Sequence, residues 1–299
     1  MLDITLLIIS ITSLFLSLGS YLDLKSGEIP DRISIGLVII LLFFSGLYSL
    51  IELNINPFAS SLILGALYFL IGYALFYLGQ WGGGDVKLLT GIGCSLGFLG
   101  NFYLFPNTRL PVFISYFINM GFIALPYTIL YSLILSIRNP RVFREFRNYI
   151  MERNSLLLFS ISIIPFITAQ ILGLKFLSIL YLLFPLLVLI SVYLKAVEDV
   201  ALKRKISVER LQEGDVLAMD LVVDGRKIAK KSNISGLEQA QIQKIRELSE
   251  HGKIPSELWI RYGIRFAPIL FLAFLITVFY GSILETFLSV LNPDGIIIT

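Results

Sequence analysis

The chain has 299 residues, 56% of them hydrophobic and 23 of them Phe, with a mean hydropathy of +0.83. That composition excludes an ordinary water-soluble globular domain and points to a polytopic membrane protein. The net charge of +3 comes without a basic patch interleaved with aromatics, so nucleic-acid binding is not expected.

Eight apolar runs follow in chain order, roughly 3–22, 33–52, 59–79, 86–101, 111–137, 155–173, 175–195 and 264–287. About 20 such residues span a hydrocarbon core of about 30 Å. The first run has no basic leader and no small-residue cleavage site, and it runs straight to Asp23. It reads as a retained helix rather than a signal peptide. The fourth is the shortest and carries Gly91, Gly93, Gly97 and Gly100, small residues that let neighbouring helices approach closely.

Eight spans put the loops 23–32, 80–87, 138–154 and 196–263 on one side. Those loops with their flanks, Lys195 and Arg265, hold 22 of the 24 Lys and Arg residues, leaving Arg109 and Lys175 opposite. The positive-inside rule assigns the four loops to the cytoplasm and both termini to the outside. The long loop orients helices weakly, yet without it the split is still 8 to 2. The expected organisation is a transmembrane core over 1–195, a small cytoplasmic domain over 196–263, and a last helix and tail over 264–299.

The 196–263 segment reads as a minimal α+β module. Its first half alternates as short strands, with Asp224-Gly225 as the hairpin turn. In "SGLEQAQIQKIRELSEHG", Ser235 and Glu238 fit a capping box, and Leu237, Ile242, Ile245 and Leu248 form an apolar stripe that Gly252 closes. "SELWIRYG" is a final strand.

The single cysteine, Cys94, excludes an internal disulfide and reads as a small buried packing residue. The single histidine, His251, sits at the polar end of the module's helix, and one histidine cannot build a zinc site. No metal site and no cofactor are expected, and nothing in the sequence sets an oligomeric state.

What chemistry there is lies at the membrane edge. Asp23 ends the first apolar run in "SYLDLKSGEIPDRIS", and Asp85 opens the fourth in "GGGDVKLL". Carboxylates near hydrocarbon are costly and mark functional sites. If the first and fourth helices are neighbours, the two sit at similar depth on one side. A close pair of carboxylates shares one proton and can cleave a peptide without metal or covalent intermediate. Gly82, Gly83 and Gly84 would leave room for an extended substrate and permit unusual dihedrals where the chain turns into a helix. A glycine turn followed by a helix-capping aspartate would look the same in isolation.

Asp23 followed after five residues by Ile29-Pro30-Asp31, together with Gly82-Gly83-Gly84-Asp85-Val86-Lys87, resembles the prepilin peptidases. These are GxGD-type intramembrane aspartyl proteases that process type IV prepilins and archaeal preflagellins. The resemblance covers about the first 100 residues, and "KISVERLQEGDVLAMDLVVDGRKIAKK" with the last helix resembles the C-terminal region of archaeal members. It implies that Asp23 and Asp85 are the catalytic dyad, and that a short basic leader is cut at the cytoplasmic face of the plasma membrane, just before the substrate's hydrophobic helix. Its implied partners are prepilin or preflagellin precursors. Many bacterial members carry a Cys-x-x-Cys insertion and also methylate their product; with one cysteine here, methyl transfer is not expected.

Glu28 and Asp31 lie in the loop where acidic groups would attract a basic leader, although Glu28 could instead pair with Lys25. Lys87 could bias the dyad's ionisation or could snorkel at the interface. The loop "RNPRVFREFRNYIMERN" marks the cytoplasmic surface and anionic lipid headgroups. The fold expected is an all-α polytopic membrane protein of about six to eight transmembrane helices with a small α+β domain. The rival reading is a proton- or cation-coupled transporter using Asp23 and Asp85 as ion sites, but no internal repeat supports it.

Overall fold

The structure, a computed structural model, describes residues 2–102, 105–106, 108–223, 226–229 and 236–291. The chain divides into two compact units, Met1–Tyr127 with Arg265–Thr299, and Thr128–Ile264.

The first unit holds α1 (Leu2–Ser26), α2 (Asp31–Ile51), α3 (Asn56–Tyr77), α4 (Gly83–Leu99), the start of α5 (Val112–Arg138), α11 (Ala267–Phe279) and α12 (Ile283–Leu291). Its centre is α4. Twelve of that helix's 17 residues are buried, among them Leu88, Leu89, Ile92, Leu96 and Leu99. Its glycines explain how a helix can be enclosed so closely. A methyl group on Gly93 would lie 2.6 Å from the Leu64 carbonyl oxygen of α3, and one on Gly91 would lie 2.6 Å from Leu37 Cδ2 of α2. On the facing side, Gly65 of α3 leaves the space that the buried Cys94 fills. Small residues thus bring backbones together where apolar burial gives helices no preference for one another over lipid.

Buried hydroxyls pin the same packing. Thr12 Oγ1 of α1 donates to Ser95 Oγ of α4 at 2.9 Å, and Ser61 Oγ of α3 donates to the Cys94 carbonyl at 2.9 Å. The first and fourth helices are therefore neighbours, as the dyad argument requires.

The last apolar run is not one helix. α11 and α12 meet at a bend of 54°. Gly281 adopts φ +93 there, and Asn119 of α5 satisfies the groups the break releases. Its Nδ2 donates to the Gly281 carbonyl at 2.6 Å and its Oδ1 accepts from Ile283 N–H at 3.0 Å. A broken helix at membrane depth persists only where such partners exist.

Among the described residues six helices are long and apolar enough to cross a membrane, or seven if the bent pair forms one span. Of the eight runs read from hydropathy, α4 is the one outside this set: its 17 residues lie at the short end of the range that spans a bilayer. The chain is a multi-pass helical membrane protein.

The second unit contains α6 (Arg141–Ile150), α7 (Arg153–Ile171), α8 (Lys175–Tyr181), α9 (Leu183–Val200) and the strand-bearing module. α6 lays Val142 and Phe146 on Ala196, Val197 and Tyr193 of α9, and Tyr149 Oη donates to Asp199 Oδ2 at 2.9 Å. Arg141, Arg144 and Arg147 are left on the exposed face of α6.

In the module, β1 (Lys203–Ser207) and β2 (Val216–Leu217) both pair antiparallel with β5 (Glu257–Arg261). β3 (Leu221–Val223) and β4 (Arg226–Ala229) form a separate hairpin. α10 (Gln239–Glu250) buries Ile242 and Ile245 into a core shared with Val208, Leu217, Leu237 and Ile260. The apolar stripe therefore lies as expected, and Gly252 adopts φ +68 just past the helix end. The capping box sits three residues later than expected, with Glu238 N–H donating to Gln241 Oε1 at 3.0 Å. Ser235 and the Asp224-Gly225 turn lie outside the described residues. His251 is exposed at the helix end, its Nδ1 2.6 Å from the Glu247 carbonyl.

Candidate active site

Three helix ends of the first unit converge on two carboxylates. α1 carries Asp23 near its end and is closed by Gly27, whose φ of +86 lets its N–H donate to the Asp23 carbonyl at 2.9 Å. Such a left-handed residue just past a helix is a usual stop, and glycine adopts it without a steric penalty. α4 carries Asp85 in its first turn, where Asp85 Oδ2 accepts from Gly82 N–H at 3.3 Å. α11 begins at Ala267, whose N–H donates to Asp23 Oδ2 at 3.1 Å.

Asp23 is buried, with 6% of its surface exposed. Asp85 Oδ1 is sealed from solvent and has no hydrogen-bond partner among the described residues. The charge of Asp23 reaches Asp85, and the charge of Arg265 reaches both. A buried carboxylate oxygen with no donor is costly unless the carboxyl carries a proton or shares one. The arrangement therefore suits two carboxyl groups holding one proton between them.

The motifs that carry these residues are also packed on one another. Ile29 seats against Gly84, where a methyl group would lie 2.9 Å from Ile29 Cβ. Trp81, just before the glycines, tilts against Phe266 with ring centroids 4.8 Å apart, which joins the lead-in of α4 to that of α11.

The glycines do not do what their dihedral freedom suggested. None of Gly82, Gly83 and Gly84 has a positive φ; Gly82 is extended at the helix start and the other two lie in the first turn of α4. Gly84 is needed for the approach of Ile29, whereas a methyl group on Gly83 would find its nearest neighbour 3.9 Å away, at Phe76.

Of the other residues singled out, Lys87 and Asp31 form an ion pair with each other. Glu28 is exposed and carries no ion pair among the described residues, so a Glu28–Lys25 pair does not form. Lys25 instead lies 5.7 Å from the centroid of the Tyr21 ring. Among the described residues no group of three or more His, Cys, Asp or Glu could hold a metal ion.

Sequence reasoning missed the strand-to-helix lead-in "YGIRFAP". Arg265 entered there only as a topological charge. The signal was the order of its parts: an arginine two residues ahead of a helix that opens with Ala267-Pro268, a usual helix start.

Residues 10–137 match the model of the type IV leader peptidase family. The chain is 25% identical to the prepilin peptidase EppA of Methanothermobacter thermautotrophicus over 93% of its own length and 96% of that protein's. It is 33% identical to a preflagellin peptidase of Methanococcus maripaludis over 46% of its own length and 63% of that protein's. With a preflagellin peptidase of Methanococcus voltae the identity is 37%, over 33% and 39% of the two chains. No solved structure matches. Residues 10–137 are thus similar to the type IV leader peptidase family, a family of peptidases.

Proposed function

We propose that the chain is a membrane-embedded aspartyl endopeptidase that removes the short basic leader of type IV prepilin-like or preflagellin precursors. Asp23 and Asp85 are its catalytic dyad. One observation carries this: two carboxyl groups from separate helices lie at one end of the helical unit within electrostatic reach of each other, one held by Ala267 N–H and the other with a buried oxygen unpartnered among the described residues. The match of residues 10–137 to a leader peptidase family, and the relatives' names as prepilin and preflagellin peptidases, support the substrate class.

The chemistry follows from one proton shared by the pair. The ionised carboxyl takes a proton from water, and that water attacks the scissile carbonyl carbon. The protonated carboxyl hydrogen-bonds the carbonyl oxygen and then gives its proton to the departing amide nitrogen. No covalent enzyme intermediate forms.

Cleavage occurs at the cytoplasmic face. The loops that hold the dyad share their side with the chain's excess of Lys and Arg, and the positive-inside rule assigns that side to the cytoplasm. Glu28 and Asp31 offer negative charge to the basic leader beside the site. Residues 196–263 form a cytoplasmic module with a core drawn from its own residues, Ile206 to Tyr262 among those described.

The test uses membranes from cells that make this chain together with a prepilin or preflagellin. Gel mobility of the substrate is followed for the native chain, Asp23→Asn and Asp85→Asn. Shortening by the native chain and by neither variant is the expected result. Shortening by either variant removes the dyad and returns the transporter reading.

A further inference from the structure

We propose that Arg265 is a positioning residue of this dyad: its guanidinium, seated on Gly27 beside Asp23, offsets the single negative charge the two carboxyl groups share and so sets the pH range in which they work. The proposal rests on the peptidase reading of Asp23 and Asp85.

The seat is specific. Gly27 has φ +86 and no side chain, and any Cβ there would collide with Nη1, Nη2 and Cζ of Arg265. The turn that ends the Asp23 helix is therefore packed against the guanidinium plane. Two residues further on, Ala267 N–H donates to Asp23 Oδ2, so Arg265 is tethered to the carboxylate by its own backbone. Phe266 between them is held by Trp81, from the loop that leads to Asp85. Arg265 is half-buried, and its charge acts on both carboxyl groups.

Among the described residues no other cation stands in this position. Around the site α1 carries Lys25, the following loop Glu28, α2 Asp31 and Arg32, and α4 Lys87. Lys25, Glu28, Asp31 and Arg32 are exposed, Lys87 is half-exposed, and none of the five is among the charges that act on Asp23 or Asp85. Lys87 is engaged by Asp31. A buried site holding two carboxyl groups, one shared proton and one guanidinium is close to neutral. Without the guanidinium the same site must hold a net negative charge away from water, which is costly.

The sign of the effect follows. A neighbouring cation favours the ionised form of a carboxyl group, so removing it makes the pair harder to ionise. Arg265→Gln should shift the whole pH–activity profile for leader cleavage upward by about one unit, which is about a tenfold loss on the acid limb. Arg265→Lys should restore most of the position. KM for the precursor should change little, because Arg265 does not face a basic leader as an attractive group. Gly27→Ala, which keeps the charge and pushes the guanidinium aside, should shift the profile in the same direction as Arg265→Gln.

The experiment measures kcat and KM of the full chain in detergent against a prepilin or preflagellin across a pH series, for the native chain, the three variants and Asp23→Asn. A profile that keeps its position in both Arg265→Gln and Gly27→Ala, with activity merely scaled, overturns the proposal and makes Arg265 a structural helix-start residue. If Arg265→Gln does not accumulate in membranes, Gly27→Ala decides the matter in the same way. Cleavage by Asp23→Asn is a different failure: it removes the dyad, and this proposal goes with it.

Discussion

Ala267 donates its backbone N–H to Oδ2 of Asp23 at 3.1 Å, across 244 positions of sequence. The bond ties the start of the last apolar helix to the carboxyl group at the end of the first. It makes the C-terminal segment part of the site, although the family model matches only residues 10–137. A chain cut before Arg265 should therefore retain both aspartates and lose leader cleavage. Supplying residues 264–299 as a separate polypeptide in the same membrane should restore part of it. Unimpaired cleavage by the cut chain alone would mean that α11 does not support Asp23.

The two carboxyl groups should titrate as a pair. The proposed mechanism requires one proton between them, so kcat/KM should follow a bell-shaped dependence on pH, falling when both are protonated and again when both are ionised. Asp85→Glu should keep the bell shape at lower height, and a single sigmoid in the native chain would contradict a two-carboxyl mechanism.

If acidic groups beside the site attract a basic leader, as proposed, Glu28 should take a larger part than Asp31, because the Asp31 charge is already met by Lys87. Glu28→Lys should raise KM for a basic-leader precursor several-fold and leave kcat nearly unchanged, whereas Asp31→Asn should change KM less. The Glu28→Lys effect should shrink as salt is raised. The Lys87–Asp31 pair is exposed, so Lys87→Ala should cost no more than about 1 kcal/mol of stability. An unchanged KM in Glu28→Lys would exclude that residue from leader binding.

Close helix packing predicts a sharp contrast among glycines of one segment. Gly93→Val must push against the Leu64 backbone carbonyl at 2.6 Å, which cannot yield as a side-chain end would. Overpacking of this kind costs about 1–3 kcal/mol or more, and the variant should melt earlier in detergent or fail to accumulate. Gly100→Ala meets nothing within 4 Å and should be neutral.

The break between α11 and α12 depends on a single side chain. Asn119→Leu removes the donor to Thr277 Oγ1 and Gly281 O and the acceptor for Ile283 N–H. Leaving those groups unpaired should cost about 2–4 kcal/mol and lower the melting temperature in detergent by several degrees. A variant as stable as the native chain would show that water or lipid replaces the asparagine.

How much of this could be read from the sequence depends on the range of each interaction. Asp23 with Ile29-Pro30 and Asp85 with its glycines were legible because each motif is local, and the positive-inside count put both on one side. The small residues of the fourth run gave close helix approach for the right physical reason. The central position of α4 was not legible, because glycines depress hydropathy while permitting the packing that buries the helix. The bend at Gly281 was hidden in an apolar run, since the side chain that satisfies its freed backbone groups, Asn119, lies more than 150 positions away in sequence. Arg265 was hidden for the same reason: "YGIRFAP" shows a charge before a helix, and only the fold brings that charge to Gly27.

The measurement that tests the central claim most directly is the mass of the products released from one purified precursor. It would be made with the native chain, Asp23→Asn and Asp85→Asn, each shown to be folded and inserted. The account predicts that the native chain releases a short basic leader, cut just before the precursor's hydrophobic segment, and that neither variant releases it. The same leader appearing at native rate with either variant would contradict the account.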